Sequence, residues 1–388
     1  MELYILDNQL RRVEVFDQFE SLIWTDRLNE LGDLQMTIVS SYMTKSRFVP
    51  GAWVATNVSN RMMLILAAVD KVDTEGRKLL NVTGVSFEVW MQERSTLQAF
   101  VDSTGAANLL TITGTPGFIA REVFRLICKD NATPSADNFP FIADGNLYPP
   151  DTIPEPSQII TVQIEADTVF NVVRDICQIY NLGFRLTRNL DKSQMFFNVY
   201  SGNDRTTKQT TLPAVVFSAS LDNLQNTSTL QSIAEEKNVA YVFSKNATQV
   251  VYANPEDATK TGFQRKILVV DAKDIDEEPG AVLNTLLRQR GQAELAKRRA
   301  VSGFDGEIPQ YGSYIYDVDY QMGDLVEMRG SDGITNEMRV TEQIFAQDAE
   351  GFRSYPTLTI NQIITPGTWS SWESSIDWIN ATGDWADQ

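Results

Sequence analysis

Apolar and polar side chains alternate every two residues through much of the first hundred residues, a spacing typical of β-strands. One such run surrounds Trp24, and after a turn that contains Gly32 the alternation resumes over residues 34–38. Similar strand pairs fit residues 4–15 and 62–85. Alternation on both sides of a short turn indicates a β-hairpin. Several consecutive hairpins predict an antiparallel sheet, which must close or pack against another layer to hide its edges.

The pattern changes near residue 100, where helical and strand patterns become mixed. Apolar residues recur at helical spacing over 119–129 and 165–180, which predicts two helices with a strand pair after them. Strands return later in the chain, including one predicted over 314–318. The longest predicted helix covers 281–300 and follows a Pro-Gly pair directly.

We therefore predict a mainly β protein with an α+β insert. A chain of 388 residues suits two to four domains. The predicted divisions are a first strand-rich module, a middle α+β module, a second strand-rich module with the long helix, and a short Trp-rich tail. Their residues are 1–100, 101–212, 213–365 and 366–388, respectively.

The composition excludes several classes of function. The chain has 33 basic and 51 acidic residues, so its formal net charge is −18. Such a surface repels nucleic acid, although a pore through which DNA merely passes stays compatible with it. The longest apolar run, 62–69, has eight residues, far below the ~20 that span a bilayer, so we expect no membrane span.

Reactive chemistry is poorly represented in the sequence. Histidine is absent, which removes the commonest general base and the commonest transition-metal ligand. Phosphate-binding, dinucleotide-binding and nucleophile-elbow motifs are also missing. We therefore expect no catalytic residue, cofactor or metal site. Cys128 and Cys177 lie in helix-like segments, which favours buried thiols, with a single disulfide as the alternative.

The densest acidic cluster lies just before the long helix, at Asp271, Asp274, Asp276, Glu277 and Glu278. Calcium loops group carboxylates this closely, but proline stands here where their sharp-turn glycine is expected. We interpret the cluster as an exposed strand-to-helix turn, whose acids suit a helix N-terminus. A carboxylate pair for glycoside hydrolysis stays open, because its spacing is spatial rather than sequential.

The long helix carries the one concentration of basic residues in the sequence: Arg288, Arg290, Lys297, Arg298 and Arg299. An exposed helical face with ordinary intramolecular ion pairs is the favoured interpretation. The alternative is that the arginines bind an acidic surface on a neighbouring subunit.

Tryptophan is concentrated at the C-terminal end. Four of the seven tryptophans are Trp369, Trp372, Trp378 and Trp385, and a helix would place the first two on one face with Ile376 and Ile379. Exposed tryptophans at this density need a surface to cover them. We predict that the tail docks on a partner protein, with folding back onto its own chain as the alternative.

The order of the strand and turn patterns resembles that of siphophage tail-hub proteins, a family of minor tail proteins. The resemblance begins at residues 4–38, where a Ser-Leu-Ile-Trp strand precedes a Gly-Asp turn and an alternating strand. Four later segments also resemble the family: 82–96, 215–228, 298–308 and 320–329. Together they extend the resemblance over most of residues 1–365.

The resemblance implies a homotrimer with two tail-tube-like β-barrels per subunit, at residues 1–100 and 213–365. Three subunits would then match a hexameric tail tube and surround the channel through which DNA passes without specific binding. The expected partners are distal tail and tail-tube proteins together with receptor-binding or fibre proteins. The expected location is the tip of the phage tail, after assembly in the host cytoplasm. Some relatives carry a C-terminal peptidase or fibre; after its short tail this chain is expected to have none.

Two other functions remain open from the sequence. A tail-associated cell-wall hydrolase would need two close carboxylates in a pocket, at least one of them with a raised pKa. A glycan- or receptor-binding module could use the aromatic tail.

Overall fold

The structure, a computed structural model, describes residues 1–99, 110–130, 138–143, 157–164, 166–189, 194–273, 275, 279–298, 301–307, 314–329 and 335–360. The N-terminal elements are β1 (Leu3–Leu6), β2 (Arg12–Phe16), β3 (Ser21–Arg27), β4 (Asp33–Val39), α1 (Tyr42–Arg47), β5 (Trp53–Thr56), β6 (Met62–Val72) and β7 (Lys78–Ser86). The middle elements are β8 (Thr111–Gly114), α2 (Pro116–Phe124), β9 (Ile160–Gln163), α3 (Val169–Ile179), β10 (Leu182–Asn189) and β11 (Gln194–Ser201). The late elements are β12 (Val216–Ser218), β13 (Gln225–Ser232), β14 (Val239–Phe243), β15 (Thr248–Tyr252), β16 (Ile267–Asp271), α4 (Ala281–Ala296), β17 (Val301–Glu307), β18 (Leu325–Arg329), β19 (Thr335–Asp348) and β20 (Gly351–Ile360).

The predicted N-terminal hairpins are confirmed. Strands β1 and β2, β3 and β4, and β6 and β7 form antiparallel pairs. The alternation that predicted β4 appears directly in its packing, because Leu34, Met36 and Ile38 are buried and the residues between them face outwards. The chain is mainly β, as expected.

Three N-terminal strands are buried on both faces. On β1, Leu3 and Ile5 enter one core, while Tyr4 and Leu6 enter a second core on the opposite face. Strands β5 and β6 divide their side chains between the same two cores. The first core lies on the face of the N-terminal sheet that carries Trp24, and the second lies between this sheet and the middle module. The middle module therefore packs on the face of the N-terminal sheet opposite Trp24, through the second core.

The N-terminal and late strands form one sheet. Its main path runs β13-β17-β20-β19-β3-β4-β7-β6-β5-β1-β2, with β12 and β18 as a branch beside β19. The junction is the antiparallel pair β3 and β19, in which Trp24 lies opposite Phe345. The path of described strands stays open at β2 and β13, so the two expected closed barrels are not confirmed. The predicted domain boundaries stay a prediction.

The middle module packs two helices on the β10–β11 hairpin. One face of the hairpin is apolar, and Phe197 stacks on Phe124 of α2 with ring centroids 4.0 Å apart. Helix α3 begins after Thr168, whose side chain accepts a hydrogen bond from the backbone N–H of Asn171. Cys128 and Cys177 are buried thiols in this core. The favoured interpretation of the cysteines is thus confirmed.

Residues 239–298 form a small α/β unit within the late part of the chain. Strand β14 pairs antiparallel with β15 and parallel with β16, and α4 covers one face of this three-stranded sheet. Helix and sheet approach closely at Gly291, where a Cβ would lie 2.7 Å from side-chain carbons of Val242 and Val251. The long helix is confirmed, although it ends at Ala296 rather than at residue 300.

Two local predictions are wrong. Residues 314–318 do not form a strand, because the chain turns at Asp317, which has a left-handed φ of 64°. Helix α3 begins at Val169 instead of 165, since the Thr168 cap fixes its start. No helix among the described residues is long and apolar enough to cross a membrane.

Adjacent residues on β6 provide a test of the two-sided packing. Ile65 is 1 % exposed in the N-terminal core, whereas Leu66, at the bulge that follows, is 53 % exposed. We expect Ile65→Ala to lower the free energy of unfolding by about 2–5 kcal/mol, because it leaves a cavity. Leu66→Ala should change it by less than about 0.5 kcal/mol. Urea unfolding of both variants measures the difference, and equal losses would contradict the packing described here.

Candidate functional site

Charged and polar side chains from three parts of the chain meet where the N-terminal sheet, the β10–β11 hairpin and the turn at 314–320 come together. We call this set the polar junction; its members are Asp26, Ser59, Arg61, Glu88, Arg185, Thr187, Tyr316 and Asp317. Several of them line a cavity of about 10 Å³, room for about one water molecule. The junction lies on the face of β10 opposite the apolar one.

Asp26 is the buried carboxylate at the centre of the polar junction. It accepts hydrogen bonds from Trp24 Nε1 at 2.9 Å and from Ser59 Oγ at 2.6 Å. Burial raises the pKa of Asp26, and the nearby Arg61 guanidinium, which lowers it, only partly offsets this effect. Its position follows from the alternation of β3, which puts Asp26 on the same side of the strand as Trp24.

Arg61 and Glu88 form a buried ion pair, with Arg61 Nη1 3.5 Å from Glu88 Oε1. Arg61 Nη2 also donates to the backbone oxygen of Arg27 at 2.6 Å, and Glu88 Oε1 accepts from the backbone N–H of Leu186 at 2.8 Å. Burial lowers the pKa of Arg61, but the charges of Glu88 and Asp26 outweigh this and raise it overall. Arg61 therefore stays charged, and the pair links the first sheet to β10.

A second arginine makes the same kind of link. Arg188 on β10 is buried, and its Nε and Nη2 donate to the backbone oxygen of Leu10 at 2.9 and 2.6 Å. Leu10 lies in the β1–β2 turn and has a left-handed φ of 62°. The turn thus presents its carbonyl to the middle module.

The polar junction also contains the feature that a hydrolase would need. Asp317 and Asp26 line the same cavity, and burial raises the pKa of both carboxyl groups. However, a cavity the size of one water molecule has no room for a sugar ring. In the described structure Asp26 instead binds Trp24 and Ser59, and Asp317 lies close enough to Arg185 of β10 for the two charges to interact.

A further group of buried polar residues joins the middle module to β18. Asp324 accepts hydrogen bonds from the backbone N–H of Asn203 at 2.7 Å and of Gln321 at 3.0 Å. Glu327 accepts one from the backbone N–H of Thr207 at 2.7 Å. Since every one of these bonds is internal, they fix the chain segment after β11 against the late strands.

The predicted basic helix lies partly against its own chain. Lys297 Nζ is 2.5 Å from Asp175 Oδ2 on α3 and 2.8 Å from Glu294 Oε1. Arg290 lines an apolar cleft of about 110 Å³ between α3 and α4. Arg288 and Arg298 also belong to this end of the α/β unit and are partly buried. The prediction that these arginines bind a partner stays a prediction.

The other predicted binding residues lie outside the described residues: Arg299, Trp369, Trp372, Ile376, Trp378 and Trp385. In the acidic cluster only Asp271 is described, and it is exposed and paired with Lys273 at 3.1 Å. Hydrogen bonds from the backbone and side chain of Lys273 lower the pKa of Asp271. The described residues contain no group of three potential ligands that could hold a metal ion.

A family model described as Siphovirus ReqiPepy6 Gp37-like protein matches residues 2–358. The chain belongs to this family. The resemblance noted in the sequence to siphophage tail proteins is thus confirmed. No curated protein matches it in sequence.

Two solved tail proteins share its fold. The tail protein from Neisseria meningitidis MC58 is 14% identical with a TM-score of 0.56, over 94% of this chain and 98% of that chain. The 43 kDa tail protein of prophage MuSo2 from Shewanella oneidensis is also 14% identical, with a TM-score of 0.50 over 92% of this chain and 96% of that one. The tail proteins are thus similar along nearly their whole length.

The polar junction was not predicted from the sequence. Its one visible signal was the presence of Arg185 between the apolar residues Phe184 and Leu186 of a strand. Nothing local indicated that Asp26 and Arg61 would be buried beside Arg185, because each of them is more than a hundred positions from Arg185 in the sequence.

Asp26 predicts an unusual dependence of stability on pH. In the folded protein its carboxyl keeps its proton to a higher pH than in the unfolded chain, so its contribution to stability falls as pH rises above about 4. We expect wild type to lose stability relative to Asp26→Asn by about 1.4 kcal/mol for each unit by which the pKa is raised. Chemical unfolding at a series of pH values measures this.

Asp7 provides the matched control, because its pKa is shifted in the opposite direction from that of Asp26. Its exposed carboxyl accepts a hydrogen bond from the backbone N–H of Arg11, which lowers its pKa. Wild type should therefore gain stability relative to Asp7→Asn as pH rises through the ordinary aspartate range. The same pH dependence for both variants would contradict the assignment of a buried, destabilised carboxylate at Asp26.

Proposed function

We propose that the protein is a structural hub of a siphovirus tail tip. In this proposal three copies form a ring that joins the hexameric tail tube to the receptor-binding or fibre proteins and surrounds the DNA channel. The modules 1–100 and 213–365 provide two tube-like parts per subunit, with 101–212 between them. Assembly of the ring takes place in the host cytoplasm, before the finished virion leaves.

The observation that carries the proposal is the open sheet. Its path has one end at β2 and the other at β13, and each of these strands pairs with one neighbour among the described residues. An open edge offers backbone N–H and C=O groups to a strand of another chain. Pairing of β2 with β13 of the next subunit would continue the sheet around a closed ring.

The side chains of β2 support an interface. Val13 and Val15 are 61 % and 54 % exposed, although β-branched apolar residues on a strand usually face a core. Glu14, between them, forms an ion pair with Arg47 at 2.8 Å, so its charge is already balanced within the subunit. An edge of this kind lacks the lysines and prolines with which soluble proteins block unwanted pairing.

Charge supports the proposed relation to DNA. The net charge of −18 favours a surface that DNA slides past, because each phosphate is repelled rather than bound. The ring therefore needs no specific nucleic-acid contact. The proposed function is structural and uses no catalytic residue or cofactor, in keeping with buried carboxylates that hold modules together.

Mass measurement tests the proposal. Native mass spectrometry of the full chain should give a particle of three times 43.6 kDa. Val13→Asp should shift it to monomers and weaken assembly more than about tenfold, because a carboxylate would be buried without a partner at the edge. Val282→Asp, at a similarly exposed valine on α4, is the control and should stay trimeric. A monomeric wild type, or a trimeric Val13→Asp variant, would refute the proposed assembly.

A further inference from the structure

The sheet of the α/β unit has an apolar face that α4 does not cover. Helix α4 packs on Ala240, Val242 and Val251. The strand register and the alternation of side chains place a different set on the opposite side, which we call the outer face: Tyr241, Phe243, Val250, Tyr252, Ile267 and Val269. Val269 is 67 % exposed and Ile267 is 46 % exposed, whereas Val239 on the same face of β14 is buried, so the described residues shield the outer face only in part.

Two cationic side chains make cation–π contacts with aromatic rings of the outer face. The guanidinium of Arg265 lies 5.6 Å from the ring centre of Tyr252 and donates to the hydroxyl of Tyr241 at 3.3 Å. Lys273 Nζ lies 4.9 Å from the ring centre of Phe243. Apart from Asp271, which pairs with Lys273, the strand residues of this face are uncharged. In a strongly acidic chain this surface is therefore apolar, aromatic and weakly basic.

The last described strand, β20, ends close to the positions where the chain enters and leaves the α/β unit. Thr359 lies opposite Gly303 in the β17–β20 pair, so Ile360 comes next to Ser302. Strand β17 begins shortly after α4 ends, and the backbone oxygen of Arg298 accepts a hydrogen bond from Lys237, just before β14. Both chain connections of the unit thus lie within a few residues of the point where the last described strand ends.

The residues after Ile360 match the outer face in length and chemistry. Trp369 follows Ile360 by nine positions, a reach of about 30 Å when extended, whereas the five-residue strands of the unit span about 17 Å. Residues 361–388 contain four tryptophans and four acidic residues, and no lysine or arginine. Tryptophan suits an aromatic and aliphatic surface, and the acids suit Arg265 and Lys273.

We infer that the C-terminal segment 366–388 docks on the outer face of the sheet of its own subunit. The tryptophans cover Val269, Ile267 and the exposed aromatic rings, and the acidic residues lie near Arg265 and Lys273. Docking in this way covers an apolar surface that would otherwise promote aggregation. It also ties the end of the chain to the α/β unit, independently of how the subunits assemble.

Site-specific photo-crosslinking of the full chain tests this inference. A photoreactive benzoylphenylalanine at position 263 replaces a fully exposed phenylalanine that lies four residues before the start of β16. Illumination should crosslink it to residues 366–388 of the same copy. The matched control carries the same group at position 118, a half-exposed phenylalanine on α2, and should not crosslink to that segment. Mixed copies with and without ¹⁵N labelling distinguish the same subunit from a neighbour.

Hydrogen exchange gives a second, reciprocal readout on the full chain. Val269→Asp should speed exchange of residues 366–388 by at least about tenfold, and Trp369→Ala with Trp372→Ala should speed exchange of β16 similarly. Val282→Asp, on the other side of the unit, should change neither. Crosslinks only to another copy, to another part of the chain or to a different tail protein would overturn the inference, as would unchanged exchange in both variants.

Discussion

The pairing of β3 with β19 determines the rest of the architecture. It joins residues 315 to 325 positions apart in six consecutive residue pairs, and it places Phe345 in the core around Trp24. Arg27 reinforces the pair through ion contacts with Glu342 and Asp33. Without this contact, β3 and β19 would each leave an open edge inside the molecule. With it, the only open ends of the main sheet path among the described strands are β2 and β13.

Buried charges then fix how the modules sit on one another. Arg61, Glu88 and Arg188 each bond to a backbone group of a different part of the chain, so a shifted arrangement would leave them buried without partners. A buried ion pair contributes little to net stability compared with an apolar core, but breaking one costs about 3–5 kcal/mol. The polar junction therefore selects one geometry rather than adding much stability. Such selectivity suits the ring proposed above, in which the shape of each subunit must match its neighbours.

The sequence was informative where one face of a strand is buried and the other meets solvent, as in β4, because apolar and polar residues then alternate every two positions. Strand β5 was missed because it has four residues and its side chains are buried on both faces, so no period remains. The segment 314–318 has the aromatic and β-branched residues of a strand, but Asp317 turns the chain. The polar junction joins distant positions, so no local pattern could reveal it. The family, in contrast, was recognisable from the order of hairpins and turns alone.

The absence of histidine has a structural consequence beyond catalysis. No side chain of this protein has an ordinary pKa between 5 and 8, so carboxyl groups are the first to change charge as pH falls. Those with pKa values raised by burial include Asp26, Asp317 and Asp324, and all three lie at contacts between modules. Acidification therefore neutralises the junctions before it neutralises exposed carboxylates such as Asp7, whose pKa is lowered. On mild acidification the exposed carboxylates of the folded subunit thus stay charged and continue to repel one another. The buried carboxyl groups become neutral, so the free-energy cost of burying their charge is removed.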